Sequence, residues 1–179
     1  MLVLASRSPQ RKRILEQLGI EFRVEPAHVD EVTEGDPREV VVENALRKAR
    51  AVDGELVLGA DTEVVLDGRV FGKAAGEEEA RAFLRDLSGR THHVWGGIAL
   101  RDGDQVQTAH AVTEVTFADL SDEVLDWYLA SGEWRDRAGA YAIQGLGAAL
   151  VASIEGDFWN VVGLPVPELL GLAPGLLVP

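Results

Sequence analysis

The chain is expected to fold as an α/β protein with a mixed, twisted sheet and flanking helices. Three observations predict this. Four segments with apolar residues at helical spacing alternate with short apolar runs suited to strands. Asp67-Gly68, Asp102-Gly103 and Glu155-Gly156 separate neighbouring runs as hairpin turns, which argue against a purely parallel, doubly wound sheet. A chain of 179 residues, 46% of them hydrophobic, is large enough for one real core, or for two small lobes sharing one.

The elements follow in order. Leu2 to Ala5 reads as an apolar strand that runs into a polar turn. Ser8 suits a helix cap and Pro9 its first position, so a helix is expected from Ser8 to Leu18, with Gly19 as its stop. Ile14, Leu15 and Leu18 share its inner side. Phe22 to Val24 is a short strand. Asp36-Pro37-Arg38-Glu39 has the capping-box order and opens a helix carrying Val41, Ala45, Ala49 and Val52. Leu56 to Ala60 is an apolar strand, and Glu63 to Leu66 with Arg69 to Phe71 forms a hairpin. Glu77 to Leu87 is helical, with Ala80, Phe83, Leu84 and Leu87 inward. Val94 to Leu100 and Gln105 to Phe117 are long strands. Ser121 caps a helix ending near Gly132. Ala148 to Ile154 and Phe158 to Val162 are expected as two further strands, and the last dozen residues as a packed tail or a short helix.

The formal net charge is -13, so broad electrostatic binding to nucleic acid is not expected. No apolar run reaches the roughly eighteen residues of a membrane span. The few apolar residues at the start precede a cationic cluster, the reverse of a secretion signal. These features predict a cytoplasmic protein. The absence of cysteine excludes disulfides, thiolate catalysis and cysteine-bound zinc. His28, His92, His93 and His110 lack metal-binding spacing, and His92-His93 reads as structural or exposed.

Several short segments carry possible chemistry. Arg7, Arg11, Lys12 and Arg13 crowd a helix start, whose unpaired N–H groups and dipole suit a phosphate. Asp61 follows a buried-type strand inside Gly59-Ala60-Asp61-Thr62; it either shapes a turn or needs a cationic partner. Asp30-Glu31 could join Asp61 as hard oxygen ligands for Mg²⁺ or Mn²⁺, or belong to a solvated acidic loop. Lys48 and Lys73 are candidate phosphate contacts, with a solvent-facing charge as the alternative for Lys48. Gln144 lies among glycines in 138–147 and offers a donor and an acceptor to a pyrimidine edge, unless the loop is only structural. Trp159 and Asn160 either complete the core or serve a site. No P-loop, G-x-G-x-x-G or G-x-S-x-G run occurs.

Taken together, Leu4-Ala5-Ser6-x-Ser8-Pro9-x-Arg11, Asp30-Glu31, Arg47-Lys48-Ala49, Gly59-Ala60-Asp61-Thr62, Lys73, Leu87-Ser88-Gly89-x-Thr91-His92, Ala138-Gly139-Ala140-Tyr141-x-Ile143-Gln144-Gly145 and Asn160-Val161-Val162-Gly163-Leu164-Pro165 resemble the Maf family, closest to its dTTP/UTP branch. The motifs recur in order over nearly the whole chain, so residues 1–179 are expected to form a single domain of that kind. The resemblance implies a nucleoside triphosphate pyrophosphatase that cuts between the alpha and beta phosphates. It also implies two lobes around a cleft, similar to inosine triphosphate pyrophosphatases, a Mg²⁺ or Mn²⁺ cofactor and a homodimer. Under it Asp61 is the general base, and Glu31 and Asp61 hold the metal. Ser6, Arg11, Lys48 and Lys73 grip the triphosphate, while Thr62 and Gln144 bear on pyrimidine choice. Gln10 stands where the family usually has the first of two arginines, with Arg7 or Lys12 as possible substitutes. A nucleotide-binding regulator linked to cell division and a house-cleaning enzyme for modified pyrimidine triphosphates are the alternative functions.

Overall fold

A computed structural model describes residues 1–177. The elements run β1 (Leu2–Leu4), α1 (Pro9–Gln17), β2 (Phe22–Val24), α2 (Pro37–Arg50), β3 (Leu56–Leu66), β4 (Arg69–Phe71), α3 (Glu77–Leu87), β5 (Thr91–Asp102), β6 (Gln105–Phe117), α4 (Asp122–Ala130), β7 (Val151–Glu155), α5 (Phe158–Val162) and α6 (Val166–Leu172), with 3-10 turns at Leu146–Leu150 and Pro174–Leu177. The seven strands form a mixed sheet in the order β2-β1-β3-β5-β6-β7, with β4 paired to β3. β1 is parallel to both β2 and β3, whereas β3–β4 and β6–β7 are antiparallel. Among the described residues no helix is long and apolar enough to cross a membrane.

The chain divides into two compact units, and β3, β5 and β6 each contribute residues to both. The first unit comprises 1–62, 95–111 and the residues from 159 onward. Strand alternation organises it. Leu2, Leu4, Leu58, Ala60, Ile98 and Leu100 pack with Ile14 and Leu15 of α1 and Leu169 of α6. The intervening residues Val3, Ala5, Val57 and Ala99 pack with Ala45 and Ala49 of α2. Successive side chains point to opposite faces of a strand, so α1 and α6 cover one face and α2 the other. Gly59 lets α2 come close: a Cβ there would lie 2.0 Å from the Ala45 carbonyl oxygen.

The second unit comprises 63–94 and 112–158. Its core includes Phe71, Phe83, Leu84, Leu87, Val115, Phe117, Leu125 and Leu129. His92, Phe117 and Tyr141 meet edge-on, with ring centres 4.9 to 5.5 Å apart. The α3 and α4 helices are tied by Arg85 to Asp122 at 2.7 Å and by Arg81 to Asp126.

Three expectations change. The strand expected at Ala148 to Ile154 begins only at Val151, because residues 148–150 belong to the 3-10 turn Leu146–Leu150. The runs at 56–60 and 63–66 are one unbroken strand, β3. Phe158–Val162 is a helix, α5, and not a strand. Its β-prone sequence is overridden by tertiary context, with Trp159 and Val162 packed on the apolar cluster of the first unit. Glu155-Gly156 is therefore a strand-to-helix turn, not a hairpin. The carboxyl-terminal stretch is helical over α6.

Candidate active site

The unbroken course of β3 decides where the polar residues go. Val57, Gly59 and Asp61 alternate toward α2, while Leu58, Ala60 and Thr62 alternate toward α1. Asp61 therefore meets the α2 side chains one turn apart, Asn44 and Lys48. Its Oδ1 lies 2.8 Å from Lys48 Nζ, and its Oδ2 accepts from Asn44 Nδ2 at 2.9 Å. Lys48 Nζ also pairs with Glu31 Oε1 at 2.6 Å and donates to the Ala60 carbonyl at 3.3 Å. One ammonium thus joins two carboxylates, an arrangement that offsets the cost of burying Asp61. Asp61 is buried, and Glu31 is half exposed.

Asn44 fastens the acidic loop to this cluster. Its Oδ1 accepts from Val32 N at 2.7 Å, and its Nδ2 donates to Val32 O at 2.9 Å as well as to Asp61. Arg47 adds a bond of 3.0 Å to the Asp30 carbonyl. The loop backbone is therefore held at residues 30 and 32, on either side of Glu31.

On the opposite face, Arg11 is buried among Ser6, Thr62 and Gly163. It donates to Gly163 O at 2.8 Å, to Ser6 Oγ at 2.9 Å and to Thr62 Oγ1 at 3.1 Å. Burial pulls its pKa down, while the charges of Asp61 and Glu31 act to raise it. Ser8 caps α1, its Oγ accepting from Arg11 N at 3.4 Å and donating to Gln10 Oε1 at 2.8 Å. Gln10 is buried beside it. Of the clustered cations Arg11 turns inward. Arg7 lies 2.9 Å from His28 Nδ1, Lys12 pairs with Glu16 at 3.6 Å, and Arg13 is exposed. Arg7 and Lys12, the possible substitutes for an arginine at position 10, are thus engaged with His28 and Glu16.

Ser6, Gln10, Arg11, Glu31, Lys48, Asp61 and Thr62 thus come together within the first unit. Lys73 and Gln144 belong to the second unit, and both are exposed. The Lys73 backbone bridges to Ala138, and Gly139 N donates to Phe71 O at 2.8 Å, so the strand leading to Lys73 is tied to the segment leading to Gln144. His92 is buried with Nε2 2.9 Å from the Tyr141 hydroxyl, as a structural reading expects.

Among the described residues no group of three or more His, Cys, Asp or Glu gathers as a metal site. Glu31 and Asp61 nevertheless share one cation, the Lys48 ammonium. Two carboxylates of this kind fit a small hard dication that takes its remaining ligands from water and substrate phosphates.

The family model described as Maf-like protein matches residues 1–174. The chain belongs to the Maf family. It is 54% identical over 92% of its length to a dTTP/UTP pyrophosphatase of Symbiobacterium thermophilum, covering 88% of that protein. It is 50% identical to one of Anaeromyxobacter dehalogenans, over 96% of this chain and 91% of the relative. A third, from Pyrococcus furiosus, is 42% identical over 96% of this chain and 93% of its own length. The residue that motif reading missed in this Maf protein is Asn44. Its signal was available: an amide on the inner stripe of α2, one residue before Ala45 and one turn before Lys48.

Proposed function

We propose that this chain hydrolyses nucleoside triphosphates, dTTP and UTP foremost, between the alpha and beta phosphates, giving the monophosphate and pyrophosphate. The observation that carries this reading is the Asp61–Lys48–Glu31 cluster, with Asn44 behind it and Arg11 across the strand. The names of the relatives support the substrate class. The reading extends to a single working domain over 1–179, a cytoplasmic location, a homodimer, and no nucleic-acid or membrane partner.

Asp61 accepts the proton of the attacking water as the new oxygen–phosphorus bond forms at the alpha phosphorus. The bond to the bridging oxygen breaks, and pyrophosphate leaves with that oxygen. Asn44 holds one carboxylate oxygen and Lys48 the other, so the base is oriented before substrate arrives. Lys48, Arg11 and Lys73 offset the triphosphate charge, and Ser6 fixes the Arg11 guanidinium. Glu31 and Asp61 would hold Mg²⁺ or Mn²⁺, which supplies further charge neutralisation. Thr62 and Gln144 bear on base choice, Gln144 by pairing its amide with O4 and N3–H of uracil or thymine.

Pyrophosphate release from dTTP, UTP, CTP, dATP and GTP tests the assignment. Release from dTTP and UTP at the highest kcat/KM is expected, and equal values for all five would refute pyrimidine selection. Gln10 favours one second reading, because position 10 contributes no positive charge to the triphosphate grip. A nucleotide-binding regulator would bind dTTP tightly and release no pyrophosphate. Faster cleavage of 5-substituted pyrimidine triphosphates would instead identify a house-cleaning role.

A further inference from the structure

We propose that Glu133 is a positioning residue for base selection, holding the loop that presents Gln144. The inference rests on the assignment of Gln144 to the pyrimidine edge and adds the group that fixes it in place. Gln144 sits in Gln144-Gly145-Leu146-Gly147, a stretch whose two glycines give the free backbone wide freedom. Base reading requires the opposite, since a hydrogen-bonding pair discriminates only when held within about half an ångström.

The structure supplies the restraint from α4 and the turn after it. Glu133 Oε1 accepts from Leu146 N at 3.1 Å, and Oε2 accepts from Gly147 N at 2.9 Å. These are the first N–H groups of the 3-10 turn at Leu146–Leu150, which Gly145 precedes without a side-chain cap of its own. A carboxylate from elsewhere in the chain therefore does the capping, in charge-assisted bonds. Gly145 is shaped for it: a Cβ there would lie 1.9 Å from Glu133 Oε1. On the other side of Gln144, the Tyr128 hydroxyl accepts from Ala142 N at 3.1 Å. The Glu133 backbone N–H in turn donates to Ser131 Oγ at 3.1 Å, which fixes the turn that bears it. The exposed tip at Gln144 is thus pinned at residue 142 before it and at residues 146 and 147 after it. Burial raises the Tyr128 pKa, and the nearby Glu133 charge raises it further, which places both restraints in one cluster.

The experiment measures kcat/KM for UTP and CTP in the full-length protein, its Glu133→Gln and Gln144→Ala variants, and the double variant. Glutamine keeps the shape but offers one oxygen to two donors. Losing one such bond, at about 1.4 kcal/mol, corresponds to an expected tenfold fall in the UTP-to-CTP ratio. Gln144→Ala lowers the ratio at least as far, and adding Glu133→Gln to it changes the ratio less than about twofold, because both act through one side chain. A Glu133→Gln ratio within about twofold of wild type, beside a collapsed ratio in Gln144→Ala, overturns the Glu133 proposal alone. So does a full second tenfold loss in the double variant. An unchanged ratio in Gln144→Ala overturns the reading of Gln144 itself. If Glu133→Gln does not fold, Glu133→Asp, which keeps the charge but shortens the reach, is read by the same ratios.

Discussion

The first unit buries Asp61 against the ammonium of Lys48 and Arg11 against three oxygens, whereas the second buries His92, Tyr128 and Tyr141 under conditions that favour their neutral forms. The contrast is one of purpose. Paired charges can exchange one partner for another, and on the proposed function those partners are the triphosphate and a dication. Neutral groups meeting edge-on have no such alternative partners. His92, Phe117 and Tyr141 form a fixed frame, and Tyr128 spends its hydroxyl on a backbone N–H. Substitutions in the first unit should therefore act on turnover, and those in the aromatic frame on stability.

The largest effect is expected from Asp61→Asn. The amide keeps the size of the side chain but accepts no proton, and positioned base catalysis is worth about 10²–10⁴-fold. Pyrophosphate release should fall by that factor while circular dichroism stays native. Near-normal turnover would remove Asp61 from its role and dissolve the contrast between the units.

Lys48→Met comes next. It leaves Glu31 and Asp61 facing one another without the ammonium they share. A fall in kcat/KM of about tenfold to a hundredfold is expected, set by the roughly 1.5–3 kcal/mol that a hydrogen bond to a charged group supplies. Measured over a range of Mg²⁺ concentrations, the variant should need less metal than wild type to reach half its own maximal rate, because no ammonium competes for the two carboxylates. Full activity would show that the pair is only structural.

Asn44→Ala should cost about 1–3 kcal/mol of unfolding free energy, because Val32 N and O lose partners. It should also lower kcat more than it raises KM, since Asp61 loses its second anchor. Urea unfolding and steady-state kinetics read the two effects separately. A stability loss with unchanged kcat would assign Asn44 to the fold alone.

Much of this arrangement was legible as sequence, and the rest was hidden for definite reasons. The caps Ser8-Pro9 and Asp36-Pro37 mark the starts of α1 and α2 because each side chain accepts a backbone N–H there. Glu77–Leu87 and Gln105–Phe117 were readable to the residue from their periodicity. Phe158–Val162 was not, because four apolar residues around Asn160 suit strand or helix equally until packing decides. Reading β3 as two pieces concealed that Asp61 and Thr62 point to opposite faces, which is what sends one to Lys48 and the other to Arg11. The inward turn of Arg11, and not of Lys12, follows from α1 geometry that a count of cations does not contain. Glu133 was invisible because its partners are backbone N–H groups more than ten residues away, and no motif encodes them.

The smallest expected effect belongs to the aromatic frame and concerns pH. Burial lowers the His92 pKa to about 4, and the adjacent His93 lowers it as well, against an ordinary value near 6.5. The folded pKa lies below the unfolded one, so the unfolded chain binds the proton first as pH falls. Stability is full above about pH 6.5 and is lost as pH drops toward about 4, where the folded form protonates too. The loss attributable to His92 is on the order of 1–3 kcal/mol. Urea unfolding of wild type and His92→Asn between pH 7.5 and 4.5 measures it. The variant should be the less stable protein at pH 7.5, because the Tyr141 hydroxyl loses its partner. Its decline with acid should be shallower, so the two curves converge as pH falls, while kcat/KM at neutral pH stays within about threefold of wild type, the size of a contact loss well under 1 kcal/mol. Parallel curves would show that His92 carries no proton-linked stability. A large loss of kcat/KM would show that the frame of the second unit reaches into turnover, and the contrast with Asp61 and Lys48 would fail.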